Sequence, residues 1–148
     1  MPRPRGGDWL DDEIQALAGQ QVNALVSFLG PFEAAELDLL GEEEACQQSG
    51  IEFLSFPVSD RSLPSSSDDA RQFVYDLATR IEGGQSLVLH CRLGIGRAGM
   101  FSAAVLILLG ETAQTAMERV SAARGLEIPD TQEQVAWLHS LERDVRTS

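Results

Sequence analysis

The sequence predicts an α/β fold with a central, mainly parallel sheet flanked by helices. Three short apolar segments are typical of strands, and the first of them, Val22–Phe28, lacks the strict alternation of a strand with one exposed face, which suits a strand buried on both faces. Between them lie stretches with the helical spacing of apolar residues, and strands that alternate with helices form covered parallel sheets. At 148 residues the chain is predicted to be a single domain, 1–148, because a chain of this length rarely supports two independent cores.

The elements follow a leader, residues 1–8, whose Pro, Arg and Gly content predicts a flexible segment. Composition and spacing predict, in chain order, a helix at 11–19, a strand at 22–28, acidic helical sequence at 33–49 broken near Gly41, a strand at 51–56, a long loop at 57–67, a helix from the Ser66-Ser67 cap to Gly83, a strand at 86–90, and helices at about 98–109, 112–124 and 131–145. Thr112 is the expected cap of the penultimate helix.

Charge and composition exclude several function classes. The net charge of −12 argues against nucleic-acid or anionic-membrane partners, and the basic residues are all arginines, so a lysine Schiff base or Walker A lysine is excluded. No apolar signal segment is seen near Met1, and the longest apolar run, Met100–Leu109, is too short to span a bilayer. Two cysteines form no disulfide framework and two histidines no zinc spacing, so we expect a cytoplasmic protein without a metal.

The segment Val88–Met100 carries the chemistry. An apolar strand leads to Cys91, five residues follow, and Arg97 then opens a very apolar helix. Gly94 and Gly96 let the backbone amides curl around an anion at the helix N-terminus, and the planar guanidinium of Arg97 can hold two phosphate oxygens. Among these donors Cys91 is expected to be a thiolate nucleophile. The alternative is a small buried cysteine in an ordinary turn, but it leaves the charge of Arg97 unexplained.

The pattern His90-Cys91-x5-Arg97 resembles the signature loop of the cysteine-dependent protein tyrosine and dual-specificity phosphatases, and the resemblance extends from about Val22 to the last helix. It implies a protein tyrosine/dual-specificity phosphatase-like fold of the dual-specificity branch. The implied phosphate-binding loop (P-loop) consists of Arg92, Leu93, Gly94, Ile95, Gly96 and Arg97.

The family also needs a general acid on a loop upstream of the cysteine, because an alkoxide or phenoxide leaves poorly. Asp60, just past the second strand, resembles that acid, and a solvated loop aspartate is the alternative. Asp68 and Asp69 are weaker candidates, since Asp69 suits the first turn of a helix. His90 is implied to order the loop and tune the thiolate without taking its proton.

Supporting roles are less specific. Gln134 resembles the glutamine that positions the hydrolytic water in some family members, but Thr131-x-x-Gln134 is equally a helix capping box. Further candidates on the same turn are Asp130 and Gln132. Arg61 and Arg92 could bind substrate, although exposed arginines mostly only solvate a surface, and Cys46 is expected in the core, with no indication of its distance from Cys91.

One position departs from the family. The Ser or Thr that commonly follows the arginine is Ala98 here, so breakdown of a phosphocysteine is expected to slow by roughly tenfold to a hundredfold, the effect of one lost hydrogen bond to a charged group. Ser102, one turn along, could compensate.

The sequence thus predicts a cysteine-dependent phosphatase that hydrolyses phosphate monoesters through a phosphocysteine intermediate and without a cofactor. The expected substrates in proteins are phosphotyrosine and, in addition, phosphoserine or phosphothreonine. Its partners would be a phosphorylated protein or a small phosphomonoester; the pattern separates neither these substrates nor the oligomeric states. Two alternatives remain: a rhodanese-like sulfurtransferase, whose loop commonly has one residue fewer, and a phosphate-binding module with little turnover, which Ala98 would favour.

Overall fold

Three parallel strands form the centre of the structure: β1 (Ala24–Ser27), β2 (Glu52–Ser55) and β3 (Leu87–His90), in the order β2-β1-β3. The computed structural model describes residues 1–60, 62–93, 96–129 and 131–147. Leu25 of β1 is paired with Phe53 and Val88, so the three carboxyl ends are in register at one edge of the sheet.

Seven α-helices lie in the described part of the chain: α1 (Leu10–Gly19), α2 (Pro31–Glu36), α3 (Glu42–Gln48), α4 (Ser67–Glu82), α5 (Arg97–Leu108), α6 (Ala113–Arg124) and α7 (Gln132–Thr147), with a 3-10 helix at Gly7–Trp9 before α1. The predicted caps are confirmed, because the hydroxyl of Ser66 accepts from Asp69 N–H and that of Thr112 from Thr115 N–H. The fold class predicted from the sequence is therefore confirmed.

The sheet separates two apolar cores. On one face Val26 and Phe28 pack with the apolar sides of α4, α5, α6 and α7. On the other face Leu25 and Leu29 pack with α1 and α3. Side chains alternate between the faces of a strand, so both faces of β1 are buried, which explains its unbroken apolar sequence.

Helix α5 lies at the centre of the larger core and packs against α4, α6, α7 and β3. Its first residues, including Arg97 and Ala98, are buried as fully as its middle. Gly99 permits a close approach, because a Cβ atom there would collide with the Ile128 side chain on the segment before α7. The N-terminus of α5 is thus enclosed beside β3.

The leader, residues 1–8, has several contacts with the rest of the domain. The N–H of Gly7 donates to the Asp38 carbonyl at 3.2 Å, and the Arg5 guanidinium lies 2.5 Å from a carboxylate oxygen of Glu13. The Arg5 guanidinium also lies over the Trp9 ring. Flexibility of the leader stays a prediction.

Candidate active site

The site lies at the edge of the sheet where the three strands end. After β3 comes Cys91, after β1 the chain enters α2, and after β2 it forms the loop that contains Asp60. Backbone hydrogen bonds continue past the strands, with Phe28 N–H donating to His90 O at 3.1 Å and Phe56 N–H to Ser27 O at 2.9 Å. Ligands of open α/β sheets bind at this edge, beyond the carboxyl ends of the strands.

Cys91 lies at the N-terminus of α5 and is 2% exposed. The backbone N–H of Ala98, in the first turn of that helix, donates to its Sγ atom at 3.5 Å. Free N–H groups and the helix dipole at this end both favour a negative charge. Cys91 thus lies where the nucleophile is expected, and its role as a thiolate nucleophile stays a prediction.

Arg97 is 1% exposed, and its guanidinium crosses from α5 to α2. Its Nη1 and Nη2 atoms donate to the two carboxylate oxygens of Glu33 at 2.6 and 3.0 Å, and Nη1 also donates to Val58 O at 2.9 Å. Its Nε atom is buried and has no hydrogen-bond partner among the described residues. The guanidinium is thus held in place by protein acceptors at Nη1 and Nη2, and its Nε–H has no acceptor among the described residues.

The electrostatics of this pair follow from its geometry. Burial acts to lower the pKa of Arg97, but the hydrogen-bonded Glu33 and the nearby Cys91 and Asp60 outweigh it, so the net shift is upward. The pKa of Glu33 is lowered chiefly by its hydrogen bond to Arg97. Both groups therefore stay charged at neutral pH.

Asp60 lies at the mouth of the site with a side chain 60% exposed, and its Oδ1 atom is 3.3 Å from Nη2 of Arg97. The structure thus places the predicted general acid beside the predicted phosphate-binding arginine. The weaker candidates for the general acid, Asp68 and Asp69, are exposed in the first turn of α4. There the N–H of Asp69 is satisfied by the Ser66 cap.

His90 is fully buried between two oxygen atoms. Its Nδ1 atom lies 3.2 Å from Cys91 O, and its Nε2 atom lies 2.6 Å from Oε2 of Glu42 in α3. The contact with Cys91 fits the loop-ordering role predicted for His90.

Gln134 is fully buried on α7, and its side chain does not close a capping box. Its N–H donates to the Thr131 hydroxyl at 3.2 Å, but its Nε2 atom donates to Ser62 O, in the loop of Asp60, at 3.5 Å. Its Oε1 atom is buried without a partner among the described residues. The neighbouring Gln132 is exposed. An unused carbonyl oxygen at this point could accept a hydrogen bond from a water.

The rest of the nucleophile loop, Cys91–Arg97, is described in part. The Arg92 side chain turns to α2, where it lies 3.6 Å from Glu33 and 3.2 Å from Glu36. Gly96 caps α5 through its carbonyl, which accepts from Met100 N–H at 2.8 Å. The candidates Arg61, Gly94, Ile95 and Asp130 lie outside the described residues.

Three site residues were not found by sequence reasoning: Glu33, Glu42 and Arg124. Nη2 of Arg124, at the end of α6, donates to the carbonyl of Leu93 in the nucleophile loop at 2.9 Å. Glu33 had one local signal, since it is the third residue of α2 and accepts from Gly30 N–H at 3.4 Å, as a capping residue does. Glu42 and Arg124 had no such signal in the local sequence.

Cys46 lies away from this site. It belongs to the core on the α1 and α3 face of the sheet, whereas Cys91 belongs to the opposite core. Burial, with the charges of Glu42 and Glu43, raises the pKa of Cys46 to about 12. Cys46 is therefore a core residue, on the other face of the sheet from Cys91.

Within the described ranges, no cluster of three or more His, Cys, Asp or Glu side chains could hold a metal ion. In the same part of the chain, no helix combines the length and the apolar character needed to cross a membrane.

Comparisons with known proteins show which family the chain resembles. A family model described as "Tc-R-P: Polymorphic toxin system, DSP-PTPase phosphatase" matches residues 1–111, which include Asp60, Cys91 and Arg97 but not Gln134. A protein of Invertebrate iridescent virus 6 named "Putative tyrosine phosphatase 197R" is 27% identical over 95% of this chain. The chain spans 54% of the length of that relative.

Solved structures show the same fold. Kinase associated phosphatase (KAP), with its catalytic-site cysteine replaced by serine, aligns with a TM-score of 0.88 at 18% identity over 99% of this chain and 86% of its own. The active form of Tk-PTP aligns with a TM-score of 0.77 at 25% identity over 97% of this chain and 88% of its own.

Proposed function

Because this chain belongs to the DSP-PTPase phosphatase family, within the dual-specificity-like branch of the cysteine-dependent tyrosine phosphatases, we propose that it hydrolyses phosphate monoesters of proteins through a phosphocysteine intermediate. The family membership that the signature loop predicts is thereby confirmed. The substrate, the residue roles and a cytoplasmic location are parts of the proposal.

The observation that carries the proposal is the buried Nε donor of Arg97, which has no partner among the described residues. A buried N–H without a partner costs about 1–3 kcal/mol, so its presence points to a missing acceptor. The charge of the guanidinium and the N-terminus of α5 make an oxyanion the matching ligand. The Cys91 sulfur lies at the same helix N-terminus, where it accepts from Ala98 N–H at 3.5 Å, so we infer that a phosphate held by Arg97 would be within its reach.

In the first step the Cys91 thiolate attacks phosphorus, so an S–P bond forms while the ester P–O bond breaks. Arg97 and the loop amides hold the non-bridging oxygens, and Asp60 gives its proton to the leaving oxygen. The substrate phosphate takes the place that the Asp60 carboxylate now has at Nη2 of Arg97, which frees Asp60 to approach the leaving group.

In the second step a water attacks phosphorus, the S–P bond breaks, and the ionised Asp60 takes a proton from the water. Inorganic phosphate leaves and the thiolate is restored. Gln134 is suited to hold this water, since its Nε2 atom donates to Ser62 in the loop of Asp60 and its Oε1 atom has no partner among the described residues.

The test compares p-nitrophenyl phosphate, whose leaving group needs little protonation, with a phosphotyrosine peptide. Cys91→Ser should abolish turnover of both, and Asp60→Ala should lower kcat by about 10²–10⁴ on the peptide and far less on the aryl ester. Asp69→Ala is the matched control and should retain activity. Wild-type activity should persist in EDTA and be inhibited by vanadate.

Full activity of Cys91→Ser would refute the mechanism. Thiosulfate:cyanide sulfur transfer without phosphate release would identify a sulfurtransferase instead. Stoichiometric phosphopeptide binding without product release would identify a binding module.

A further inference from the structure

The buried pair of His90 and Glu42 lies directly behind the nucleophile and has no part in the steps above. His90 joins the carbonyl of Cys91, 3.2 Å from Nδ1, to the carboxylate of Glu42, 2.6 Å from Nε2. The side chains are 0% and 3% exposed, so water cannot replace either partner. Glu42 is the first residue of α3, and α3 packs against β2, so the carboxylate has a rigid support.

Counting protons restricts the state of this pair. A carbonyl oxygen only accepts, so Nδ1 must carry a proton to bond to Cys91. The contact with Glu42 needs a second proton, on the ring or on the carboxyl group. A neutral ring beside an ionised carboxylate has one proton for two contacts, so one contact would bring two lone pairs together. For both contacts to be hydrogen bonds, the pair must hold one proton more than that, shared between Nε2 and the carboxylate.

We propose that Glu42 is a positioning residue for the phosphatase reaction. Through the shared proton it fixes His90 as an Nδ1–H donor to the Cys91 carbonyl, and so fixes the backbone on which the nucleophile is mounted. This inference rests on the proposed function. Misplacing a reacting atom by about 1 Å can cost a hundredfold in rate, so the orientation of this one peptide unit matters.

The kinetic test uses two substitutions at one position. Glu42→Leu leaves His90 without its partner and should lower kcat by roughly tenfold to a hundredfold. Inhibition by inorganic phosphate, which Arg97 binds, should change by less than about threefold, because phosphate binding does not require a correctly aimed sulfur. Glu42→Gln should restore most of kcat, since its amide can donate to Nε2 while Nδ1 keeps a proton. Glu43→Gln, at the exposed neighbouring position, is the control and should equal the wild type.

A spectroscopic test does not depend on turnover. The chain has two histidines, so in protein labelled with ¹⁵N-histidine the His90 signals are assigned by comparison with His139→Gln. We expect Nδ1 of His90 to carry a proton in the wild type and in Glu42→Gln, and to lose it in part in Glu42→Leu, where the ring can choose its tautomer.

An unprotonated Nδ1 in the wild type would overturn the proposal, as would a wild-type kcat for Glu42→Leu. If Glu42→Leu does not fold, the wild type and Glu42→Gln decide: a protonated Nδ1 in both, with kcat retained in Glu42→Gln, supports the proposal, and an unprotonated Nδ1 in either overturns it. A wild type that releases no phosphate from any ester would refute the proposed function without altering these spectra, so the two failures are distinguishable.

Discussion

At the scale of single residues, we expect position 98 to control the second half of the proposed reaction. The backbone N–H of Ala98 donates to Sγ of Cys91 at 3.5 Å, but its side chain has no hydroxyl to stabilise the thiolate as the S–P bond breaks. Binding of phosphate and formation of the phosphocysteine use Arg97 and the amides and do not need that hydroxyl. The substitution should therefore slow the breakdown of the intermediate more than its formation.

We expect Ala98→Ser to raise the steady-state kcat by about tenfold, the effect of one hydrogen bond to a charged group. Rapid-mixing experiments with p-nitrophenyl phosphate measure both phases: the wild type should show a burst of nitrophenol followed by slow turnover, and the burst should shrink in Ala98→Ser. Ser102→Ala, at a half-buried position one turn along α5, tests whether that hydroxyl already compensates. A wild type without a burst, and Ala98→Ser with unchanged kcat, would contradict this account.

At the scale of elements, local sequence predicts the strand, loop and helix around Cys91 but not the acids that support them. An apolar strand, glycines and Arg97 at the mouth of an apolar helix are contiguous, so the sequence shows their relation directly. Glu33 and Glu42 lie in an acidic stretch of the sequence, and no local pattern there distinguishes a buried carboxylate from an exposed one. Only contacts across 64 and 48 positions, to Arg97 and His90, decide which of them are buried.

The same limit applies to the helices themselves. Ile81 keeps the apolar spacing of α4, yet it is 36% exposed near the end of the helix. Between α2 and α3 the chain turns at Asp38, which has a φ of 59°, and this turn makes two short helices of the acidic stretch. That break lets the two helices present Glu33 and Glu42 to different residues of the site.

The attachment of α2 to α5 should depend on pH. Arg97 lowers the pKa of Glu33 below its ordinary value of 4.5, so the pair contributes stability above pH 4.5 and loses it as the pH falls through the lower folded-state pKa. We expect Glu33→Gln to reduce the free energy of unfolding at pH 7 by about 1.5–3 kcal/mol, measured by urea denaturation. This difference from the wild type should narrow as the pH falls below 4.5.

Glu36→Gln is the matched control for that experiment. It lies on the same helix, its side chain is 69% exposed, and it pairs only with Arg92 among the described residues. Its substitution should have a much smaller effect at every pH. A constant difference between Glu33→Gln and the wild type across the acid range would show that the charge of Glu33 does not stabilise the attachment.

At the scale of the whole molecule, the positive charge of the site is local and the surrounding charge is negative. Glu33 and Glu36 neutralise the Arg92 side chain, and Asp60 lies at the mouth. The chain as a whole carries a net charge of −12. A phosphate must therefore approach through a repulsive field before Arg97 and the amides attract it at short range.

This arrangement should favour phosphorylated segments flanked by cations. At low ionic strength, about 0.02 M, we expect kcat/KM for a phosphotyrosine peptide with neighbouring lysines to exceed that for one with neighbouring glutamates by roughly tenfold. Raising the salt concentration to about 0.5 M should lower kcat/KM for the lysine-flanked peptide and raise it for the glutamate-flanked peptide, because the Debye length falls to a few ångströms. A peptide with neutral neighbours is the control and should lie between the two. The opposite result would be a higher kcat/KM for the glutamate-flanked peptide that falls as the salt concentration rises. It would show that a basic surface, and not the net charge of the molecule, governs the approach of the substrate.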